Sequence, residues 1–206
     1  MRLLRMDELS ARDRYRWMSG AIVPRPIALV TTLTEKGGVV NAAPFSFFTM
    51  LASDPPLLSI AVGRREGQMK DTARNAVAME EMVIHVVSEK IVADMNETAA
   101  TLAPDESELE RTSFHLTESV TVSVPAIKEA RIRFECKLES HLPTKNDAGE
   151  LSFDLLIARV LAMHIAEDVV DQEANGVDMD ALQPVARLAG PNYAGLGARY
   201  SLKRPK

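Results

Sequence analysis

Residues 131 to 139 read RIRFECKLE, and they alternate strictly. Ile132, Phe134, Cys136 and Leu138 fall on one side of an extended chain; Arg131, Arg133, Glu135, Lys137 and Glu139 fall on the other. Strand side chains repeat every second residue, so this pattern predicts a sheet with one dry and one wet face. A turn, KNDAGE, follows at 145–150, and LSFDLLIARVLAMHI returns over 151–165 as a long second strand. Sheets with one solvated face are characteristically antiparallel.

The rest of the chain supplies partners for this hairpin. PRPIALVTT, residues 24 to 32, predicts a strand over 26–34, rich in β-branched residues. EKGG follows at 35–38, and Gly37-Gly38 offers the positive φ angles a hairpin turn needs, so the segment from Val39-Val40 into NAAPFSFF (41–48) should pair antiparallel with 26–34. DPPLLSIAV (54–62) and EMVIHVVS (81–88) read as further strands. Ser10 is placed to cap a short helix through Trp17, and helices are expected at 70–79 and 89–99. At least six strands in largely antiparallel succession, with a few short helices, predict a mainly β protein built as a barrel with helical additions. Neither a repeat nor a low-complexity linker divides the chain, so residues 1–206 are expected to form a single domain; the acidic stretch 167–182 is expected to be a surface excursion.

Composition excludes several classes of function. A formal net charge of −5 argues against nucleic acid as the main partner, which would need a clustered basic surface. One cysteine, Cys136, rules out an internal disulfide framework and fits a reducing compartment. Asp7 and Glu8 interrupt the N-terminal region before any apolar stretch of signal length, and no window approaches the roughly 18 apolar residues of a membrane span. A cytoplasmic protein is expected.

Two segments suggest a binding site. Pro44 interrupts a strand and has no N–H to donate, so it belongs at an edge or a bulge, while the small Ala42 and Ala43 allow another group close to the backbone. A flat heteroaromatic ring with a polar edge would suit such a strand; a barrel corner would equally explain it. In GRREGQMKDTARNA, residues 63 to 76, Arg64, Arg65 and Lys70 precede a helix whose cap falls near Asp71-Thr72. Free N–H groups at a helix start beside cations make an anion site, although a basic loop is also an ordinary solvated surface.

PRPIALVTT, NAAPFSFF, DPPLLSIAV and KDTARN, followed in order by EARIRFECKL, VLAMHI and LQPVARLAGPNYAGLG, resemble the flavin reductase-like, FMN-binding split-barrel family, and within it the flavoredoxin-type branch. The likeness runs over roughly residues 10 to 205. It implies a six-stranded antiparallel split β-barrel that forms a homodimer, with FMN in a groove at the dimer interface. The backbone near Asn41, Ala43, Pro44, Ser46 and Phe47 would then run along the isoalloxazine ring. Arg25 and the Lys70-Asp71-Thr72 corner would hold the ribityl and phosphate end, and Tyr193 would lie over or beside the site.

The remaining reactive residues suggest no other chemistry. Cys136 shares a face with Ile132, Phe134 and Leu138 and reads as a buried small hydrophobe. The histidines at 85, 115, 141 and 164 show no metal-ligand spacing, and His85 and His164 lie in apolar strands. The chain has no nucleophile elbow and no G-x-G-x-x-G element. The expected function is therefore an NAD(P)H-dependent flavin reductase, with NADH or NADPH passing hydride to the flavin and no side chain acting as acid or base. The rivals are an electron-transfer flavoprotein that docks a redox partner protein, and a non-catalytic ligand-binding barrel.

Overall fold

The computed structural model describes residues 1–35, 38–103 and 106–205. Its main element is a sheet of seven strands: β1 Ala28–Leu33, β2 Val40–Phe45, β3 Phe48–Ser53, β4 Pro56–Gly63, β5 Glu81–Val86, β6 Ile132–Lys145 and β7 Leu151–Ile165. Their order is β2-β1-β5-β6-β7-β4-β3, and every neighbouring pair is antiparallel. The two outermost strands, β2 and β3, are consecutive in sequence and joined through Ser46-Phe47. The sheet therefore curls until its edges meet without pairing, which makes a barrel split between β2 and β3.

The interior confirms that curvature. Ala28, Val30 and Phe45 from one end of the sheet share a core with Leu58, Ile60, Val62, Leu156 and Ala158 from the other. Cys136 lies in the same core, fully buried, and burial pushes its thiol up to about 12. Helix α1, Ala11–Ala21, begins with the Ser10 hydroxyl accepting the N–H of Asp13 at 3.1 Å. Helix α2, Asp71–Met79, buries Ala73 and Ala76 in the barrel core, and α3, Val92–Glu97, opens an excursion that packs over the outer face of β1 and β5.

Two expectations from the sequence do not hold. Phe48 does not continue the preceding strand: the chain reverses at Ser46-Phe47 and starts β3, giving seven strands where six were expected. The wet face of β6 is wet only in part: Lys137 and Glu139 are exposed, but Glu135 is 1% exposed. Residues 118–124 lie over Glu135, which accepts the N–H groups of Val120 and Thr121 at 2.8 and 2.6 Å. The 167–182 excursion lies at the surface as expected, pinned to the barrel by Val169 and Leu182, which are buried against Ile132. Of the expected hairpin glycines, Gly38 has φ +63°, and Gly37 lies outside the described residues. Among the described residues, no helix is long and apolar enough to cross a membrane.

Candidate functional site

Strand β2 shows how a proline can sit in a sheet without disrupting it. The N–H of Ala42 points away from β1 and donates to Glu108 at 3.1 Å, and the carbonyl of Val40 accepts the Ser107 hydroxyl at 2.6 Å. Backbone direction alternates along an antiparallel strand, so Pro44, two residues beyond Ala42, also occupies an outward position. Its missing N–H therefore costs no ladder bond. Past Ala42, no strand among the described residues pairs with the outer edge of β2, and the partly exposed Ala43 and Pro44 form the wall of a cleft.

This cleft holds about 350 Å³. One end is the start of α2, where no side chain caps the helix because Lys70 occupies the capping position. Unpaired N–H groups in a first turn attract anions. Lys70 and Arg65 both line this end, and the Arg65 guanidinium also donates to the Thr101 hydroxyl at 2.8 Å. Although Lys70 remains exposed, desolvation at the cleft wall, and then the charge of Arg65, hold its ammonium below the usual lysine range. Two cations placed to repel one another favour a shared anion. Asp71 would oppose one, but its carboxylate is bonded to Arg74.

A buried polar network joins the strand to the helix. The Asn41 amide donates to both Glu108 oxygens at 2.8 and 2.9 Å, while its carbonyl accepts the Thr72 hydroxyl at 2.9 Å and that of Thr32 at 3.4 Å. Glu108 thus takes the place of a neighbouring strand for β2. Burial, the largest influence, raises its pKa, against the opposing pull of the Ala42 N–H and the Asn41 amide. Asn41 and Thr72 spend their hydrogen bonds on this framework.

The expected site residues fall into three groups. Asn41, Ala43, Pro44, Lys70, Asp71 and Thr72 come together around the cleft. Arg25, Ser46 and Phe47 gather instead beside α1. There Arg25, 6% exposed, donates to the carbonyls of Ser19, Ile22 and Leu188 and to the Ser46 hydroxyl, with its guanidinium 5.9 Å from the Phe47 ring centre. Tyr193 is not among the residues lining the cleft; its hydroxyl donates to Asn96 at 3.0 Å, its ring lies under Arg187 at 4.5 Å, and Arg187 pairs in turn with Arg25 in strand register. Sequence reasoning missed Glu108 and the cleft wall formed by residues 98–102, and it weighed Arg65 without assigning it to the site. Nothing local in the sequence marks Glu108, which lies 66 residues from Ala42.

The cleft's chemistry fits a flavin mononucleotide: small side chains along a free strand edge for a flat ring, and uncapped N–H groups with two cations for a phosphate. Fold and cleft together define a split-barrel protein of flavin-binding type. The chain belongs to the flavin reductase-like family, with residues 18–181 matching the family's flavin reductase like domain. Along all of its length and all of the relative's, it is 58% identical to the uncharacterized protein YwrF of Bacillus subtilis (strain 168) over 205 residues. The crystal structure of nitrilotriacetate monooxygenase component B from Bacillus cereus superposes with a TM-score of 0.94 at 43% identity, covering 98% of each chain. Flavoredoxin of Desulfovibrio vulgaris (Miyazaki F) shares the fold, with a TM-score of 0.72 at 17% identity over 88% of this chain and 91% of its own.

Proposed function

We propose that this protein binds FMN and acts as an NAD(P)H-dependent flavin reductase, working in the cytoplasm as a homodimer. The observation that carries the reading is the cleft in which the free edge of β2 meets the uncapped start of α2 beside Lys70 and Arg65. When bound, the flavin supplies the redox chemistry, taking hydride from a reduced nicotinamide and passing electrons onward. The chain's own residues bind and orient. Lys70, Arg65 and the α2 N–H groups would hold the phosphate, and Ala43 and Pro44 would offer a flat wall for the ring, with small side chains that leave room for a second ring to stack. Asn41 and Glu108 keep that wall in place. No side chain is needed as an acid or base.

The likeness to a protein named as a monooxygenase component favours delivery of electrons to a partner protein. A homodimer is supported by exposed apolar residues around α1 and β3, where Met18, Ile22, Phe47 and Met50 are each at least half exposed. The test is an absorption and fluorescence titration of apo-protein with FMN, followed by anaerobic addition of NADH and then NADPH. Binding near one flavin per chain and bleaching by either nucleotide are expected. No binding at micromolar FMN would overturn the cofactor assignment; full occupancy without bleaching would replace the reductase by an electron carrier.

A further inference from the structure

Arg64 and Arg65 are adjacent in sequence but differ in placement. Arg65 lines the cleft, whereas the Arg64 side chain turns inward and is 9% exposed. It meets Asp154, which is fully buried, through a two-pronged contact: Nε to Oδ2 at 2.9 Å and Nη2 to Oδ1 at 2.7 Å. Asp154 stands opposite Val62 in the β4–β7 register and two residues before Leu156, so this pair closes the end of the barrel core. Nε2 of His141, on β6, lies 2.8 Å from Asp154 Oδ1, tying a third strand to the same carboxylate. Burial alone would raise the Asp154 pKa; the contacts from Arg64 and His141 outweigh it and hold the carboxyl below its ordinary value.

Arg64 makes one more bond, and that bond reaches the loop leading to the cleft. Its Nη1 donates to the Gly67 carbonyl at 3.0 Å. Gly67 is the second residue of a two-residue turn, with φ +49° at Glu66 and +77° at Gly67. Arg65 and Gln68 close that turn by exchanging both backbone hydrogen bonds, at 3.0 and 2.8 Å. The turn delivers Arg65 on one side and leads through Met69 to Lys70 on the other. A buried ion pair is a poor stabiliser, since well-packed apolar residues of similar volume often serve as well or better. What an apolar pair could not supply is a planar fork that fixes the guanidinium and directs its third donor to the turn.

We propose that Arg64 and Asp154 are positioning residues for the anion end of the cleft, acting through the 64–70 loop to hold Arg65 and Lys70 at the start of α2. The inference rests on the reading of that end as a phosphate site. Neither residue touches the ligand. Together they set the geometry of two cations that would otherwise move apart by mutual repulsion.

The experiment compares FMN with riboflavin, which lacks the phosphate, in wild-type protein and in the Arg64→Lys and Asp154→Asn variants. Lysine keeps the positive charge but loses the fork. Wild-type protein should prefer FMN. Arg64→Lys should weaken FMN binding about 10-fold, a loss on the scale of one charge-assisted hydrogen bond, while riboflavin affinity changes by less than about 2-fold. A general loss of packing would lower both affinities alike, so the ratio separates positioning from mere stability. Should Asp154→Asn fail to fold, Arg64→Lys decides alone. A wild-type preference retained in Arg64→Lys, or parallel losses for both flavins, overturns the positioning role and leaves the phosphate reading standing. Equal affinities in wild-type protein overturn both.

Discussion

Asn41 and Glu108 form an amide–carboxylate pair in which one nitrogen donates to both carboxylate oxygens, at 2.8 and 2.9 Å. The same carboxylate accepts the Ala42 N–H, so a single side chain satisfies the outward donors of two consecutive residues. Replacing Glu108 with Ala leaves those donors buried and unpaired, which should cost about 1–3 kcal/mol in urea unfolding. Asn41→Asp sets two carboxylates against each other instead. That variant should be destabilised at neutral pH and regain part of the loss as pH falls into the carboxylate range. An Asn41→Asp protein as stable as wild type at pH 7 would contradict the pairing.

Lys70 and Arg25 should respond differently to removal. Lys70 lines the cleft without a fixed partner among the described hydrogen bonds, so Lys70→Met should weaken FMN by roughly 10- to 150-fold, equivalent to about 1.5–3 kcal/mol, and riboflavin much less. Arg25 is buried and pins the carbonyls of Ser19, Ile22 and Leu188. Its replacement by Ala should lower thermal stability and weaken both flavins together. A loss confined to FMN would instead place Arg25 at the phosphate, the role implied by the family resemblance.

These contrasts show what the sequence could and could not convey. The β6–β7 hairpin was legible because alternation at 131–139 is a local property of a strand with one dry face. The edge position of Pro44 was legible because a missing N–H is intolerable elsewhere in a sheet. The burial of Glu135 was not, since it depends on residues 118–124 folding back to donate to it. Glu108 was hidden for the same reason: its role comes from a contact spanning 66 residues. Arg64 and Arg65 look equivalent in the sequence, and only the register that puts Asp154 beside β4 sends one inward. Long-range pairing, not local propensity, separates the residues that were read from those that were missed.

His85 should make stability pH-dependent. It is fully buried, with Nδ1 2.8 Å from the Leu29 carbonyl and Nε2 accepting the Ile127 N–H at 2.9 Å, an arrangement that requires the neutral ring. Burial, chiefly, pulls its pKa down to about 4, helped by the Arg133 charge and opposed by the Leu29 carbonyl. The folded value lies below the unfolded one, so the stabilisation is fully present above about pH 6.5 and is lost as pH falls towards 4, by up to ~3 kcal/mol. Urea midpoints measured across that window should fall more steeply for wild type than for His85→Asn. Identical slopes would show that His85 takes up its proton in the fold as readily as in the unfolded chain.

The exposed apolar surface gives the last prediction. Met18 on α1, Ile22 just past its end, Phe47 at the turn and Met50 on β3 are 53, 60, 50 and 64% exposed, and Phe47 packs loosely on Tyr15 with ring centres 6.4 Å apart. Strand β3 is also a free edge of the sheet, a position that invites pairing with another chain unless something covers it. A second copy of this chain would bury both features at once, and light scattering should give twice the 22.6 kDa chain mass. Met50→Asp places a charge in that surface and should shift the protein towards monomer. Because the variant side chain lies outside the barrel core, far-ultraviolet circular dichroism should remain unchanged. Flavin affinity then reports whether the cleft is complete within one chain. A monomeric Met50→Asp protein that binds FMN as tightly as the dimer would separate dimerisation from cofactor binding, whereas a parallel loss would place the partner chain at the site.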